Sequence, residues 1–284
     1  MSTSGEDLTP QPPLPRGEGK PAADLTPQPP LPRGEGEEKP IKSLAALAEG
    51  AAALGVPLTA SQLDAFARLR DLLIEWNARV NLTAITAPEE IVTRHFLDSL
   101  TCALAVPAER RAASLRALDV GSGAGFPALP LAIAFPHWRV TALEATAKKV
   151  RFQEAACAEL GLRNVRPLAG RAEELARKLG QRGRYDLVTA RAVAALPTLL
   201  EYCCPFARVG GLCVFPKKGD LAEELVAGRR AAHTLAARLL DPIPIAIPPL
   251  DDGRVLLLAR QERPCPAEYP RPAGAPTTRP LGGR

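Results

Sequence analysis

Two different spacings of apolar residues divide this chain. Between residues 58 and 76 the apolar side chains recur every three or four positions, which places them on one face of a helix. These side chains are Leu63, Phe66, Leu69, Leu73 and Trp76. Thr59 and Gln62 have the spacing of a capping box at its start. An Ala/Leu-rich stretch precedes this helix, and another helix is expected over 88–105. We therefore expect residues 41–110 to form a helical N-terminal layer.

From residue 116 onward, short apolar runs alternate with helical stretches, which predicts a parallel sheet with helices on both faces. The expected strands are 117–120, 140–144, 165–169, 187–190, 212–215, 243–247 and 255–259. The expected helices are 128–134, 147–160, 172–179, 198–207 and 220–239. The last two strands have no helix between them, and residues 251–253 predict a hairpin turn. We therefore expect an α/β fold with a mostly parallel seven-stranded sheet that ends in a β-hairpin.

The two ends of the chain are rich in proline. Residues 7–19 recur identically at 24–36, and ten of the 30 prolines fall within residues 1–40. A segment with so few apolar side chains cannot bury a core, so we expect a disordered and dispensable extension, with a proline-rich docking ligand as the alternative. Six further prolines fall within 263–284, which we interpret as a basic tail.

Charge and cysteine content narrow the function classes. The net charge is +5, but residues 1–40 hold four basic and seven acidic side chains, which leaves a net charge of +8 on the rest. A basic body favours a polyanionic partner, and a solvated cationic surface is the alternative. The six cysteines lack zinc-ligand spacing, so we expect buried thiols and no metal. No segment has the pattern of a secretion signal or membrane span, so we expect a cytoplasmic protein without membrane contact.

A glycine-rich segment carries the strongest chemical signal. Gly121, Gly123 and Gly125 follow an apolar strand and precede a helix, which is typical of a loop whose backbone approaches a ligand closely. The spacing GxGxG differs from the GxGxxG of a dinucleotide fold, and the segment lacks the GK[ST] ending of a P-loop. Glu144 stands 23 residues after Gly121, at the end of the next strand, where an acid can accept hydrogen bonds from ribose hydroxyls.

The glycine loop and Glu144 together resemble motif I and the following acid of class I S-adenosylmethionine-dependent methyltransferases, whose Rossmann-like sheet also ends in an antiparallel hairpin. Further segments occur in the order of one family: 81–85, 94–99, 121–127, 170–174, 185–194, 218–219 and 269–276. Over residues 42–282 the chain resembles the bacterial 16S ribosomal RNA guanine-N7 methyltransferases known as glucose-inhibited division protein B.

This resemblance implies a cofactor, a substrate and a set of site residues. The cofactor is S-adenosyl-L-methionine, residues 111–262 are the methyltransferase core, and nitrogen 7 of a guanosine in 16S ribosomal RNA or the small ribosomal subunit is the acceptor. The implied cofactor-binding residues are Gly121, Gly123, Gly125, Phe126, Glu144, Ala172, Glu173 and Arg191. In that family's pattern the loop lines the methionine and adenosyl groups, Glu144 takes the ribose, Ala172 and Glu173 flank the adenine, and Arg191 closes the pocket near the methyl group. We expect a monomer and name no catalytic residue.

The chemistry of the implied reaction agrees with what the sequence lacks. Nitrogen 7 has a free lone pair in neutral guanine, so the protein must position and desolvate it but needs no general base. Residues 189–192 hold neither the [DN]PP[YF] motif that amino-group methylation tends to use nor a cysteine nucleophile. His95 and Asp98 lie three apart on one expected helix and either pair structurally or contact the base. Ala128 and Gln153 replace the family's usual glycine and leucine, and we expect little effect.

Contacts with RNA are expected from cations of the basic body. The candidates are Arg94, Lys148, Lys149, Arg151, Lys217, Lys218, Arg271 and Arg279. Three alternative functions remain open at this point. The GxGxG spacing disfavours a nicotinamide-dependent reductase, and the intact loop, Glu144 and Arg191 disfavour a non-enzymatic ribosome assembly factor. The basic body disfavours, modestly, a methyltransferase of proteins or small molecules.

Overall fold

A computed structural model describes residues 41–178, 180–191 and 194–283, with side chains from Leu44 onward. The proline-rich repeat at 1–40, expected to be disordered, lies outside the described residues. The described residues all belong to one compact unit. The expected helical layer, core and tail therefore pack into a single body.

In the described part of the chain, eight strands form one sheet. They are β1 (Arg116–Val120), β2 (Arg139–Glu144), β3 (Val165–Ala169), β4 (Tyr185–Thr189), β5 (Ala207–Lys218), β6 (Ala237–Leu239), β7 (Ile243–Pro244) and β8 (Arg254–Gln261). Seven of them follow the order β3-β2-β1-β4-β5-β8-β6, and β7 pairs with β8 beside this path. β1 to β5 are parallel, and β8 is antiparallel to its neighbours β5, β6 and β7. The expected α/β class with a mostly parallel sheet is confirmed.

Helices cover both faces of this sheet. Within the described ranges they are α1 (Ile41–Ala53), α2 (Ala60–Val80), α3 (Pro88–Glu90), α4 (Asp98–Thr101), α5 (Ala108–Arg111), α6 (Ala128–Ala134), α7 (Ala147–Glu159), α8 (Ala172–Leu175), α9 (Leu196–Cys203), α10 (Ala222–Thr234) and α11 (Ala275–Thr278). A π-helix over Ile91–Leu97 joins α3 to α4, and a 3-10 turn over Cys102–Ala105 follows. The helix expected over 88–105 is thus a continuous helical run of mixed type. The capping box of α2 is present, with Gln62 N donating to the Thr59 hydroxyl at 3.3 Å.

The prediction of a helix over 220–239 is wrong for its last residues. α10 ends at Thr234, and Ala237–Leu239 form β6 instead. Ala236 has a φ of +58°, which ends the helical conformation. The buried Gln261 side-chain amide donates to the carbonyl oxygens of Leu235 and Ala236 at 2.8 and 3.3 Å. Ala237–Leu239 then pair with β8 on the side away from β5. The apolar spacing of this segment fits a helix and a strand equally well, so the pattern could not separate them.

The hairpin expected from strands 243–247 and 255–259 is also shorter than predicted. The first strand is reduced to Ile243–Pro244, with one further hydrogen bond from Ile245 N to the Arg254 carbonyl oxygen at 2.9 Å. It pairs with Leu256 and Val255 of β8, so the connection is a longer loop that ends in the expected turn at 251–253. β6, and not this segment, occupies the last place in the sheet order.

Two apolar cores lie on opposite faces of the sheet. One joins the N-terminal helices to α6 and α7, with Phe66, Phe96 and Trp138 fully buried. The other contains side chains of α9 and α10, with Phe206 and Phe215 fully buried. Burying a large apolar side chain stabilises a fold by roughly 2 to 3 kcal/mol, so these cores fix the helices on both faces and hold the loops at the strand ends.

The proline-rich tail packs against the body. Glu201 of α9, whose side chain is fully buried, binds the Arg271 guanidinium at 2.6 Å. Arg182 donates to the carbonyl oxygens of Tyr269 at 2.7 Å and Cys265 at 2.8 Å. Thr198 donates to the Pro276 carbonyl oxygen at 2.9 Å. Side chains of the body thus bind backbone groups of the tail, so the tail is part of the folded unit.

Candidate functional site

The glycine loop is tied to the end of β2 by the side chain of Glu144. Gly123 N donates to Glu144 Oε2 at 2.8 Å, and Thr146 N donates to Oε1 at 2.8 Å. Gly121 N donates to the Leu143 carbonyl oxygen at 2.9 Å. The parallel pairing of β1 with β2 brings both carboxyl ends to one edge, which is where open α/β sheets bind ligands. The structure therefore brings the sequence-predicted loop and acid into direct contact.

The three loop glycines have different surroundings. Gly121 and Gly123 have φ of +70° and +60°, and a Cβ on either would meet nothing within 4 Å. Gly125 has φ +88°, but a Cβ there would lie 2.5 Å from Leu129 Cδ1. Gly121 and Gly123 therefore border open space where a ligand can approach the backbone, whereas Gly125 allows the loop to pack on α6.

Gln153 of α7 is a loop contact that the sequence reasoning missed. Its side-chain amide donates to the Gly123 carbonyl oxygen at 2.8 Å, and the residue is fully buried. Within the described part of the chain, its Oε1 atom has no hydrogen-bond partner. The expectation that glutamine in place of leucine has little effect overlooked this bond. The signal available in the sequence was a glutamine at a position on the apolar face of the expected helix 147–160.

A second missed residue is the buried Asp119 at the end of β1. It accepts hydrogen bonds from Thr189 Oγ1 at 3.0 Å and from Ala128 N at 3.3 Å. Burial raises the pKa of this carboxyl to about 6, and these hydrogen bonds oppose the shift only partly. Ala128 is the first residue of α6 and is not among the residues with positive φ, so alanine fits there as expected.

Arg191, just past β4, joins the glycine loop to the π-helix. Its guanidinium carbon lies 5.6 Å from the centre of the Phe126 ring. The same group donates to Asp98 Oδ2 at 2.9 Å, to His95 Nδ1 at 2.8 Å and to the Arg94 carbonyl oxygen at 2.9 Å. Arg191 is therefore a partly buried positioning group, and both His95 and Asp98 bind it.

His95 is held in one protonation state by this arrangement. Burial, and then the charge of Arg191, lower its pKa to about 3, so the imidazole is neutral at physiological pH. Because Nδ1 accepts from Arg191, Nε2 carries the proton and donates to Thr83 Oγ1 at 2.9 Å. The ring stacks on Phe126 with the centroids 4.5 Å apart and the planes at 4°. His95 and Asp98 were expected either to pair with each other or to contact the base; instead both bind Arg191, which is a structural role of a different kind.

Next to Arg191 opens a cleft of about 760 Å³ at the carboxyl edge of β4 and β5. Asp98 lies between two arginines there. One of its carboxylate oxygens accepts from Arg191, and the other accepts from Arg254 of β8. Arg254 also binds Asp252 at 2.9 Å, and Asp252 binds Lys218 at 2.8 Å. These side chains form an alternating row of charges that starts beside the glycine loop, and all of them except Asp252 line the cleft.

Ala172 and Glu173 lie at the start of α8, directly after β3. β3 pairs with β2, so these residues stand beside the end of the strand that carries Glu144. Glu173 is only 7% exposed. A carboxylate in such a position is stable when donors reach it, and an amino group of a bound base would be one.

The cations predicted to contact RNA fall into two groups. Lys217 is mostly buried and donates to Glu224 Oε1 at 2.7 Å and to the Ala194 carbonyl oxygen at 2.6 Å. Lys217 and Arg271 are thus committed to internal ion pairs. The others are at least partly exposed: Arg94, Lys148, Lys149, Arg151, Lys218 and Arg279.

The described residues contain no group of three or more potential metal-ligating side chains. All six cysteines are free thiols, and five of them are buried, as expected. None of the helices that the structure describes is long and apolar enough to cross a membrane.

The strand order, the glycine loop and the acid at the end of β2 define an α/β protein of the class I methyltransferase type. The family model described as GidB, rRNA small subunit methyltransferase G, matches residues 62–241, and the chain belongs to this family. Ribosomal RNA small subunit methyltransferase G of Deinococcus radiodurans is 47% identical over 236 residues, 83% of this chain and 91% of that protein. The protein of the same name from Roseiflexus sp. (strain RS-1) is 46% identical over 231 residues, 81% and 97% of the two chains.

Similarity to solved structures is more distant. A putative O-methyltransferase from Klebsiella pneumoniae has 20% identity and a TM-score of 0.46 over 69% of this chain and 90% of that chain. The family assignment therefore rests on the sequence matches alone.

Proposed function

We propose that this protein transfers a methyl group from S-adenosyl-L-methionine to nitrogen 7 of a guanosine in 16S ribosomal RNA. The observation that carries the proposal is the contact between Gly123 and Glu144 beside open space at Gly121, in a chain that belongs to the ribosomal RNA methyltransferase G family. The relatives' name refers to small-subunit ribosomal RNA, which supports this substrate. Because that RNA is made and assembled in the bacterial cytoplasm, we propose that compartment as well.

The residues at the carboxyl edge suit an adenosyl cofactor. Glu144 has lone pairs left on both oxygens after accepting from Gly123 and Thr146, so it can also accept from ribose hydroxyls. Gly121 and Gly123 leave space against their backbone for the ligand chain. Glu173 and Ala172 would take the base, with the Glu173 carboxylate accepting from an exocyclic amino group. When bound, the cofactor supplies a methyl group already activated on a sulfonium sulfur.

The protein's own contribution is then positioning and exclusion of water. Arg191 donates to three acceptors on the π-helix and the start of α4 and lies against Phe126. It would therefore form the boundary between the cofactor loop and the cleft. The cleft beside it would receive the target nucleotide. Nitrogen 7 of guanine carries its lone pair in the neutral base, so no residue must remove a proton before transfer. The neutral state of His95 is consistent with a structural role in this site.

The test is methyl transfer from labelled S-adenosyl-L-methionine to small ribosomal subunits of a strain that lacks this protein. We expect label in 7-methylguanosine after hydrolysis of the RNA. Label in a different nucleoside would show a different acceptor, and the absence of label from both subunits and naked 16S RNA would contradict the proposal. A Gly121→Ala protein, which fills the space at the loop, is the inactive control.

A further inference from the structure

Three arginines form a row on one face of the sheet, outside the glycine loop. Arg116 is the first residue of β1, Arg139 is the first residue of β2, and Arg166 is the second residue of β3. None of them was among the cations expected to contact RNA. We call Arg116, Arg139 and Arg166 the arginine row.

The strand register places these side chains next to one another. Arg116 and Arg139 are direct partners across the parallel β1–β2 pair, and Arg166 pairs with Thr141, two residues beyond Arg139. Since alternate residues of a strand share a face, all three side chains lie on the same face as Leu118 and Leu143. Neighbouring strands are roughly 4.8 Å apart, so the row is a compact cluster of positive charge.

Like charges in directly opposite positions destabilise a sheet unless something compensates them. All three arginines are exposed, and within the described part of the chain no carboxylate lies within ion-pair distance of any of them. The guanidinium carbon of Arg116 lies 5.6 Å from the centre of the Tyr185 ring, a cation–π contact that leaves the charge in place. Asp186 accepts from the Arg116 backbone N–H at 2.8 Å, but its side-chain ion pair is with Arg208 at 2.6 Å. The three guanidinium groups of the row therefore have no carboxylate as an ion-pair partner among the described residues.

Two residues of the row, Arg116 and Arg139, lie at the end of the sheet opposite to the cofactor loop, because they begin the strands that Gly121 follows and Glu144 ends. Arg166 lies nearer to the loop, since its partner Thr141 is three residues before Glu144. A strand of five residues spans roughly 17 Å, so a single nucleotide bound in the cleft would not reach Arg116 or Arg139. A folded ribosomal RNA is large enough to contact both edges at once.

We propose that the arginine row binds the phosphate backbone of the folded substrate RNA, away from the nucleotide that enters the cleft. This inference rests on the proposed function, since it assigns a second contact with the same RNA. Three closely spaced guanidinium groups complement adjacent phosphates, and guanidinium–phosphate pairs are strong charge-assisted contacts. The row contributes affinity and orientation, and it reads no sequence.

The test compares binding of the full-length protein to purified small ribosomal subunits over a range of salt concentrations. The variant is Arg139→Ser with Arg166→Ser, which leaves Arg116 on Tyr185. If both arginines contact phosphates, the slope of log affinity against log salt falls by about one per lost contact. We expect the affinity at ~0.1 M salt to fall roughly tenfold. Binding of S-adenosyl-L-methionine should not change.

A matched control removes the same charge elsewhere. Arg79→Ser with Arg229→Ser takes two exposed arginines from α2 and α10, and it should leave the salt slope almost unchanged. Arg139→Lys with Arg166→Lys keeps the charge and should restore most of the binding.

Two results would overturn the proposal. One is a serine variant that is folded and binds subunits with the wild-type affinity and salt slope. The other is a serine variant whose affinity falls no further than that of the Arg79/Arg229 control. The first result would mean that the row serves only the fold. If the wild-type protein neither binds nor methylates subunits, the proposed function fails, which is distinguishable from failure of the row alone.

Discussion

The imidazole of His95 lies parallel to the phenyl ring of Phe126, with centroids 4.5 Å apart and planes at 4°. His95 belongs to the π-helix and Phe126 to the end of the glycine loop, so this stack joins the N-terminal helical layer to the carboxyl edge of the sheet. Arg191 binds the His95 Nδ1 atom and lies against the same phenyl ring. The helical layer thus forms part of the site.

The neutral state of His95 predicts a pH dependence of stability. Its pKa is about 3 in the folded protein, whereas an unfolded histidine has a pKa near 6.5. The unfolded chain therefore binds the proton first as the pH falls, so this stability is fully present above about pH 6.5 and is lost progressively toward pH 3. Between pH 7 and pH 5 the expected loss in free energy of unfolding is about 2 kcal/mol.

Urea unfolding of the wild type and of His95→Gln at both pH values measures this loss. The variant lacks the titrating group, so its stability should change by about 2 kcal/mol less over the same interval. Equal pH dependence in the two proteins would show that His95 is protonated in the folded state or is not buried.

Asp98 is expected to be important for stability because it is bound by two arginines. Its side chain is 7% exposed and accepts from both Arg191 and Arg254. Asp98→Asn removes the charge that compensates both guanidinium groups, which should lower the free energy of unfolding by about 3 kcal/mol. Asp252→Asn is the matched control, because Asp252 also binds two cations but its side chain is 34% exposed. That change should cost less than about 1 kcal/mol. Equal losses would contradict the difference in burial.

A comparison of Gly121 with Gly161 separates the effect of filling the space at the loop from the effect of backbone strain. Gly121 and Gly161 have φ of +70° and +64°, and a Cβ added to either would have no atom within 4 Å. Alanine at either position should therefore cost about 1 to 2 kcal/mol of stability through the left-handed conformation. Only Gly121→Ala should weaken binding of S-adenosyl-L-methionine in a calorimetric titration. If Gly161→Ala weakens it equally, the effect comes from stability and not from contact with the ligand.

Glu144 is predicted to act on the cofactor both directly and through the loop. Glu144→Ala removes the acceptor for Gly123 N as well as the proposed acceptor for ribose. We expect at least a tenfold loss of cofactor affinity, which corresponds to about 1.4 kcal/mol, with the chain still folded. Glu144→Gln retains one acceptor oxygen and should lose less. The exposed Glu154→Ala serves as the control, and unchanged affinity in Glu144→Ala would refute the ribose assignment.

Local patterns were enough to predict much of this molecule. The apolar alternation predicted β1 to β5 and their parallel arrangement, and the spacing of Thr59 and Gln62 predicted the start of α2. The glycine loop and Glu144 could be paired in advance because adjacent parallel strands end at the same edge of a sheet. Each of these inferences depends on residues close in sequence or on a general rule of sheet geometry.

Contacts between distant segments could not be predicted in this way. β6 was taken for helix because its pairing with β8 and the turn held by Gln261 depend on residues more than 20 positions apart. The bonds from Arg191 to His95 and Asp98 span more than 90 residues, and the bond from Gln153 to Gly123 spans 30. The internal pairing of Lys217 and the adjacency of Arg116 and Arg139 likewise follow from the packing of separate strands and helices. Spacing along a chain specifies which face a side chain occupies, but only tertiary packing specifies which side chain it meets.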